Sequence, residues 1–146
     1  MAFSVSALQN SSLKDCYAYR CNFDGTQLRH AVLAEADFNE SSLRSADLSF
    51  TKAEHVELSV CEMSDVNAHS ADFSNAHFRS TLYRADWTRA KVGGAILDDC
   101  DFSGAEFDLL RVGSTFVRIE PPVTAEKIEQ AVRRVDFDES DSTSAT

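Results

Sequence analysis

Large apolar residues recur at intervals of five along most of the chain. Between Ala34 and Phe50, for example, Phe38, Leu43 and Leu48 lie five residues apart, and an Ala or Ser stands two positions before each of them. An α-helix repeats about every 3.6 residues and a β-strand about every 2 residues, so neither element alone explains this period.

The repeat covers almost the whole chain. It runs from Phe3 to Val117 with a single slip, in which four residues replace five just before Leu82. The position two before each large residue holds Ala, Cys, Ser, Thr or Val, except at Met1 and Leu110. Internal repetition of this kind is the signature of a solenoid.

Each pentad has a simple physical interpretation. The small and the large residue point inward with one outward residue between them, because side chains alternate faces along a strand. The remaining two residues must turn the chain, and they include turn formers such as Asp24–Gly25 and Gly93–Gly94. Repeated turns without a reversal predict coils whose backbones pair with the coils above and below at a spacing of about 4.8 Å.

Several pentads carry a more specific motif, namely ADFNE, SADLS, ADFSN, ADWTR and CDFSG. They resemble the pentapeptide-repeat family, whose motif is a small residue, Asp or Asn, Leu or Phe, and then two polar residues. The resemblance covers residues 2–117 and implies an all-β solenoid, a right-handed quadrilateral β-helix of about six coils with about 20 residues each. Every fourth large residue then stacks on the same side as core. One side holds Phe3, Phe23, Leu43, Met63, Leu82 and Phe102.

The chain changes character after the repeats. We expect the β-helix at 1–118, a linker and short α-helix at 119–136, and a disordered tail rich in Asp, Glu, Ser and Thr at 137–146. Thr124 is a suitable N-cap for a helix from Ala125 to Val135. This helix can cap the open end of the solenoid or form a two-fold homodimer. The apolar residues available for either role are Ile128, Ala131, Val132 and Val135.

Composition and charge narrow the functional classes. The formal net charge is −10, which argues against direct nucleic-acid binding because such binding relies on Lys and Arg neutralising phosphates. No apolar run approaches the roughly 18 residues of a membrane span, and the N-terminus lacks the pattern of a signal peptide. We therefore expect a cytoplasmic protein that does not bind membranes. Its cysteines should stay reduced at small inward positions, and they are Cys16, Cys21, Cys61 and Cys100.

The sequence offers little for catalysis, and we predict a protein that is not an enzyme and needs no cofactor. No G-x-S-x-G motif and no Gly-rich phosphate loop is present. No metal site is expected, because we assign the outward histidines to different sides; they are His30, His55, His69 and His77. An acidic corner is predicted to be a solvated surface rather than a cation site, and it contains Asp98, Asp99 and Asp101.

The outward acids suggest a protein partner. Some pentapeptide-repeat proteins are acidic rods that dimerise end to end through a C-terminal helix, mimic DNA, and bind DNA gyrase or topoisomerase IV. The resemblance implies such a DNA mimic here, and the alternative is a scaffold or adaptor whose protein partner recognises one face of the rod. The candidate acids are Asp37 and Glu57 on one side, and Asp47, Asp86 and Glu106 on another.

The slip before Leu82 has two interpretations. It can mark a binding surface, because a regular face gives a partner nothing distinctive to hold, or it can be a tolerated deletion. Beside it, Tyr83 and Arg84 are bulky residues that we expect to be exposed, which makes them candidates for partner binding. In either case, one corner must be tighter or one strand shorter than the others.

Overall fold

Successive coils of the solenoid pair in parallel, and the outward residue of each pentad forms the backbone bridges. Ala2 pairs with Asn22, Asn22 with Ser42, and Ser42 with Glu62, so partners are 20 residues apart. The pairing continues to Glu106 and gives five coils and two sides of a sixth. The β-solenoid predicted from the pentads is therefore confirmed. The structure is a computed structural model, and the residues that it describes are 1–97, 99–107, 110–112, 115–117, 119, 122–131 and 133.

The longer extended segments are β-strands. Strands β1 (Glu57–Glu62), β2 (His77–Thr81) and β3 (Ile96–Leu97) stack as one parallel sheet in the order β1-β2-β3. Strands β4 (Leu110–Val112) and β5 (Thr115–Val117) form a separate antiparallel pair. Elsewhere in the solenoid the parallel pairing consists of isolated bridges, because the chain turns after every few residues.

Most regular corners are tight turns that the backbone closes by itself. At one such corner, the Ser41 N–H donates to the Phe38 carbonyl at 3.1 Å. Glu40, the last corner residue, has a φ of 60°, as a type II turn requires at its third position. The Glu40 N–H also donates to the Ser59 carbonyl of the next coil at 2.9 Å. Turn and ladder together satisfy the backbone polar groups, so a chain with few long strands still forms a regular stack.

The interior is filled by the large pentad residues, with the small ones between them. The rings of Phe73, Phe78 and Trp87 pack with centroids 5.0, 5.2 and 5.3 Å apart, and Trp87 also stacks on Phe107 at 5.7 Å. Every large pentad position from Ala18 to Phe107 is buried. The predicted core is thus confirmed over this range.

The one-residue slip in the repeat lies at a corner. On either side of it, side chains still alternate between inward and outward directions. Ser59 of β1 pairs with Arg79 of β2, but the next pair is Glu62 with Thr81. Three steps along β1 therefore correspond to two steps along β2. Arg79 alone replaces the two residues of a regular corner, and we call this position the shortened corner.

The last two pentads inferred from the spacing do not continue the coil. The spacing predicts a parallel coil through Val112 and Val117, but the backbone of β4 and β5 pairs antiparallel, with Arg111 opposite Phe116. Leu110, a large residue at a position that is small in every pentad except the first, is fully buried. A Leu overfills an inward position that must fit beside a large neighbour, so the chain leaves the solenoid here. The parallel ladder of the described residues thus forms five coils and two sides of a sixth, where about six coils were expected.

A short helix follows the antiparallel pair. Residues 125–131 and 133 are helical, and the Lys127 N–H donates to the Thr124 hydroxyl at 3.2 Å, as in an N-cap. Ile128 is fully buried, and Ala131 packs against the same core. Within the described part of the chain, no helix has the length and hydrophobicity of a membrane span. The predictions for Val132, Val135 and the tail at 137–146 lie outside the described residues.

Candidate interaction surfaces

One outward column carries three of the predicted partner-binding acids. Parallel bridges connect Asp47 to Asn67, Asn67 to Asp86, and Asp86 to Glu106. We call these four residues the acidic column. Neighbouring coils are about 4.8 Å apart, so the column extends about 14 Å along the solenoid axis. Because the backbone ladder fixes this spacing, its carboxylates are pre-organised for a partner.

The aspartates of the acidic column also shape the corners that follow them. Asp47 Oδ1 accepts the Ser49 N–H at 3.0 Å and the Ser49 hydroxyl at 2.6 Å. Asp86 Oδ1 accepts the Thr88 N–H at 2.9 Å. An Asp that bonds the backbone two residues later forms an Asx turn, and the signal is visible in the sequence as DLS and DWT. This structural role was not predicted.

The second pair of predicted acids lies on a different outward column. Asp37 pairs with Glu57 in the next coil, and Glu57 pairs with His77. The His77 Nδ1 atom is 3.3 Å from Glu57 Oε2, and Asp37 Oδ1 accepts the Asn39 N–H at 2.9 Å. The structure therefore does not bring Asp37 and Glu57 together with the acidic column.

Tyr83 and Arg84 lie on the corner after the slip, and both side chains are exposed. The Arg84 guanidinium lies 4.6 Å from the centre of the Tyr83 ring. Its Nη2 atom donates to Asp65 Oδ2 at 2.8 Å, and this hydrogen bond raises the pKa of Arg84. Arg84 is thus held in an ion pair, while the Tyr83 ring presents a flat surface to solvent.

The shortened corner opens a groove between neighbouring coils. Cys61 is buried there, and burial raises the pKa of its thiol to about 11, so it stays protonated near neutral pH and is a poor nucleophile. The Ser80 hydroxyl donates to the Leu58 carbonyl. These side chains support the backbone rather than facing solvent as reactive groups. The groove is lined by Val60, Cys61, Glu62, Arg79, Ser80, Thr81 and Asp99.

The acidic corner is described in part, because Asp98 lies outside the described residues. Asp99 Oδ2 is 3.4 Å from Arg79 Nη2. Asp101 Oδ1 accepts the Ser103 hydroxyl at 2.6 Å and the Ser103 N–H at 2.9 Å, which lowers the pKa of the Asp101 carboxyl. Across the described residues, no group of three or more His, Cys, Asp or Glu side chains could hold a metal ion.

The cysteines occupy the small inward positions, as predicted, and all are free thiols. Cys61 is buried, and the other three are half-buried. Burial also raises the pKa of Cys16.

Aromatic residues form a cluster that was not predicted. It lies on one corner column, by which we mean the corners that stack on one another in successive coils. His30 stacks on Phe50 with 5.1 Å between ring centroids, and His69 meets the same ring at 5.5 Å. The Arg29 Cζ atom lies 4.8 Å from the Phe50 centroid. The prediction that His30 and His69 lie on different sides is wrong, because they occupy different positions of the same corner column. Comparing both corner positions along every fourth pentad would have revealed the cluster.

Known proteins share this architecture. Residues 21–59 and 41–79 match the family model of pentapeptide repeats. Among curated proteins, no sequence matches this chain.

Solved structures of similar fold come from distant relatives. One is HetL, a pentapeptide repeat protein involved in heterocyst differentiation regulation from the cyanobacterium Nostoc sp. strain PCC 7120, with 22% sequence identity and a TM-score of 0.55 over 78% of this chain and 59% of HetL. Another is a trypsin-treated form of QnrB1, a plasmid-mediated fluoroquinolone resistance protein, with 22% identity and a TM-score of 0.45 over 75% of this chain and 64% of QnrB1. This chain thus spans about three fifths of the length of either protein. The likeness to HetL establishes the fold alone.

Parallel coils of four pentads, inward small and large residues, and a turn at every corner define a four-sided β-solenoid. Residues 21–79 of the chain carry pentapeptide repeats, and proteins with these repeats fold as right-handed β-helices.

Proposed function

We propose that this chain is a non-enzymatic rod that binds another protein through its acidic column. The specific partner that we propose is a DNA-handling enzyme, DNA gyrase or topoisomerase IV, with the column acting as a DNA mimic. The observation that carries this proposal is the absence of any cation from the column. Its residues are Asp47, Asn67, Asp86 and Glu106, and the residue bridged to Asp47 in the preceding coil is the uncharged Gln27.

Electrostatics supports a cationic partner surface. The chain has a formal net charge of −10, which accelerates encounters with a positively charged groove. The ladder of backbone bonds holds the carboxylates in line, so little ordering entropy is lost when they meet a partner. We choose DNA gyrase or topoisomerase IV as the partner because the chain resembles the DNA-mimicking members of the family.

A neutral triple variant tests the acidic column without changing its shape. Asp47→Asn, Asp86→Asn and Glu106→Gln remove three charges, and each Asn keeps an oxygen that can accept the Asx-turn hydrogen bond. We expect wild-type protein to bind gyrase at low salt and to bind less as salt is added. The triple variant should bind about tenfold or more weakly, as measured by titration.

A matched control separates a local effect from a global one. Asp15→Asn, Glu35→Gln and Glu54→Gln remove the same number of charges from corners on another side of the solenoid. We expect this control to bind almost as well as the wild type. The proposal fails if the wild type does not bind at low salt, or if both triple variants lose the same affinity.

An adaptor with a different protein partner is the second candidate, and a specific observation favours it. Outside the acidic column, several acids are paired with cations, as in Asp65 with Arg84 at 2.8 Å and Asp72 with Lys91 at 3.7 Å. These pairs interrupt any continuous acidic field, while Tyr83 offers an exposed ring. For an adaptor, a partner captured from the native host should be lost with Tyr83→Ala and kept by the neutral triple variant.

A further inference from the structure

The corner column that follows the acidic column along the chain contains no acid from the second to the fifth coil. Its residues there are Arg29, His30, Ser49, Phe50, His69, Ser70, Thr88 and Arg89. Phe50 comes three residues after Asp47, and three residues span at most about 11 Å. The two columns are therefore neighbours on the surface of a chain whose formal net charge is −10.

The Arg29 side chain lies over an aromatic ring instead of pairing with a carboxylate. Its Cζ atom is 4.8 Å from the Phe50 ring centroid, and in the described part of the chain its guanidinium makes no hydrogen bond or ion pair. Other guanidinium groups are held in ion pairs, namely those of Arg20, Arg44, Arg79, Arg84 and Arg133. The five N–H donors of Arg29 are thus available to an oxyanion, and the ring fixes their position.

A second cation lies beside this guanidinium. Lys52 is exposed, and its backbone is bridged to Val32 in the coil that contains Arg29. The acid bridged to Lys52 on the other side, Asp72, is paired with Lys91 at 3.7 Å, and no described carboxylate forms an ion pair with Lys52. We call the surface formed by these two cations and the ring cluster the basic ridge; its residues are Arg29, His30, Phe50, Lys52 and His69.

Charge indicates which occupant fits the basic ridge. A guanidinium beside an ammonium group attracts oxyanions, and both carboxylates and phosphates match the guanidinium fork. A nucleic-acid strand carries a phosphate at every nucleotide, so it would also meet the neighbouring acidic column and be repelled there. A protein segment can instead place an acidic residue on the basic ridge and basic residues on the acidic column, which satisfies both signs of charge.

We propose that the basic ridge binds an Asp or Glu side chain of the protein whose cations occupy the acidic column. This inference rests on the proposed role of the acidic column and adds an orientation to it. A partner bound the wrong way round would place its cations against Arg29 and Lys52, and such like-charge contacts suppress the wrong arrangement. The surface therefore differs from a DNA backbone, whose charge has one sign throughout.

Two fluorescent probe peptides test the basic ridge independently of gyrase. Both begin with four lysines and a Gly-Gly linker; one ends in two glutamates and the other in two glutamines. Net charge alone favours the glutamine peptide, because an acidic chain attracts the more cationic probe. If the basic ridge binds carboxylates, the wild type should instead bind the glutamate peptide about threefold or more tightly in titrations at low salt.

Two double variants localise the effect. Arg29→Gln with Lys52→Gln removes both cations of the basic ridge from exposed positions, and it should reverse the preference so that the glutamine peptide binds more tightly. Lys14→Gln with Arg133→Gln is the matched control, because it removes two positive charges at exposed positions elsewhere. This control should keep the preference of the wild type, and thermal unfolding checks that every variant folds.

The outcomes separate the basic ridge from the proposed function. The neutral triple variant of the acidic column should weaken both peptides and keep the glutamate preference, whereas a failure to bind gyrase would remove that partner without touching the preference. The basic ridge proposal is overturned by a wild type that prefers the glutamine peptide or binds neither, or by equal loss of the preference in both double variants. Tighter binding of a labelled oligothymidine strand than of the glutamate peptide would also overturn it.

Discussion

Two neighbouring corners on one edge of the solenoid turn the chain with different numbers of residues. The corner in the third coil uses Ser59 and Val60, and Val60 has a φ of 60°. The shortened corner in the fourth coil uses Arg79 alone, which is absent from the residues with positive φ. Parallel backbone pairing nevertheless continues directly after this corner, where Thr81 pairs with Glu62 of the preceding coil and with Asp101 of the following coil.

The difference shows why a deletion can be accommodated at this point. In β2, Phe78 points inward, Arg79 outward and Ser80 inward, because strand side chains alternate. A corner of one extended residue therefore presents the next small residue to the core, as a two-residue turn does. Removal of a second residue would reverse the facing and expose the core. The groove lined by Val60, Cys61, Arg79 and Asp99 lies at this corner.

Truncating a core residue beside each corner should cause the largest loss of stability and so gives the sharpest comparison of the two corners. Phe38 and Phe78 are fully buried on the same side, next to a regular and the shortened corner respectively. We expect Phe38→Ala and Phe78→Ala each to lower the free energy of unfolding by about 3–5 kcal/mol through the cavity that remains. Chemical denaturation measures both losses.

The exposed Arg79→Ala variant is the control, and it should cost less than about 0.5 kcal/mol. If Phe78→Ala costs much less than Phe38→Ala, the shortened corner lets the coil collapse into the cavity. The two corners would then differ in rigidity as well as in length.

The sequence was sufficient to predict the core but not all of the surface. Period and residue size identified every inward position from Ala18 to Phe107, because a narrow interior accepts only one large and one small residue per side. The line formed by Asp47, Asp86 and Glu106 followed from the coil length. Their bonds to the following corner residues were missed, although the spacing of Asp to Ser or Thr carries that signal.

Other features depend on geometry that spacing alone does not contain. The sequence looks the same whether the missing residue is lost from a corner or from a strand. The structure was therefore needed to locate the shortened corner at Arg79. Likewise, Val112 and Val117 keep the period although the backbone there pairs antiparallel. Only the large Leu110 hinted at that change. The contact of Phe50 with His30 and His69 joins different coils and different corner positions.

A smaller effect is expected from the hydroxyl that supports the shortened corner. Ser80 is buried, donates to the Leu58 carbonyl and accepts the Cys61 N–H at 3.3 Å. In a regular coil of the same column, Ser41 donates to the Ala18 carbonyl at 2.7 Å and accepts the N–H of Cys21 at 2.9 Å.

We expect Ser80→Ala and Ser41→Ala each to cost about 1–3 kcal/mol, because a buried backbone group loses its partner. The measurement is the urea midpoint of each variant at constant slope. A neutral Ser80→Ala beside a costly Ser41→Ala would show that the shortened corner does not depend on its hydroxyl.

The smallest expected effect concerns the backbone of the two corners, and it should differ in sign. Val60 is β-branched and holds a positive φ, which for a side chain of this kind is strained by roughly 1–2 kcal/mol. Val60→Gly removes the strain but adds conformational entropy to the unfolded chain, worth about 0.5–1 kcal/mol. We therefore expect a net gain in stability of up to about 1 kcal/mol. Arg79 has no positive φ to relieve, so Arg79→Gly should lose about 0.5–1 kcal/mol. Thermal and urea unfolding of both variants measure the two changes, and a loss of stability in both would mean that Val60 is held without strain and that the two corners do not differ in this respect.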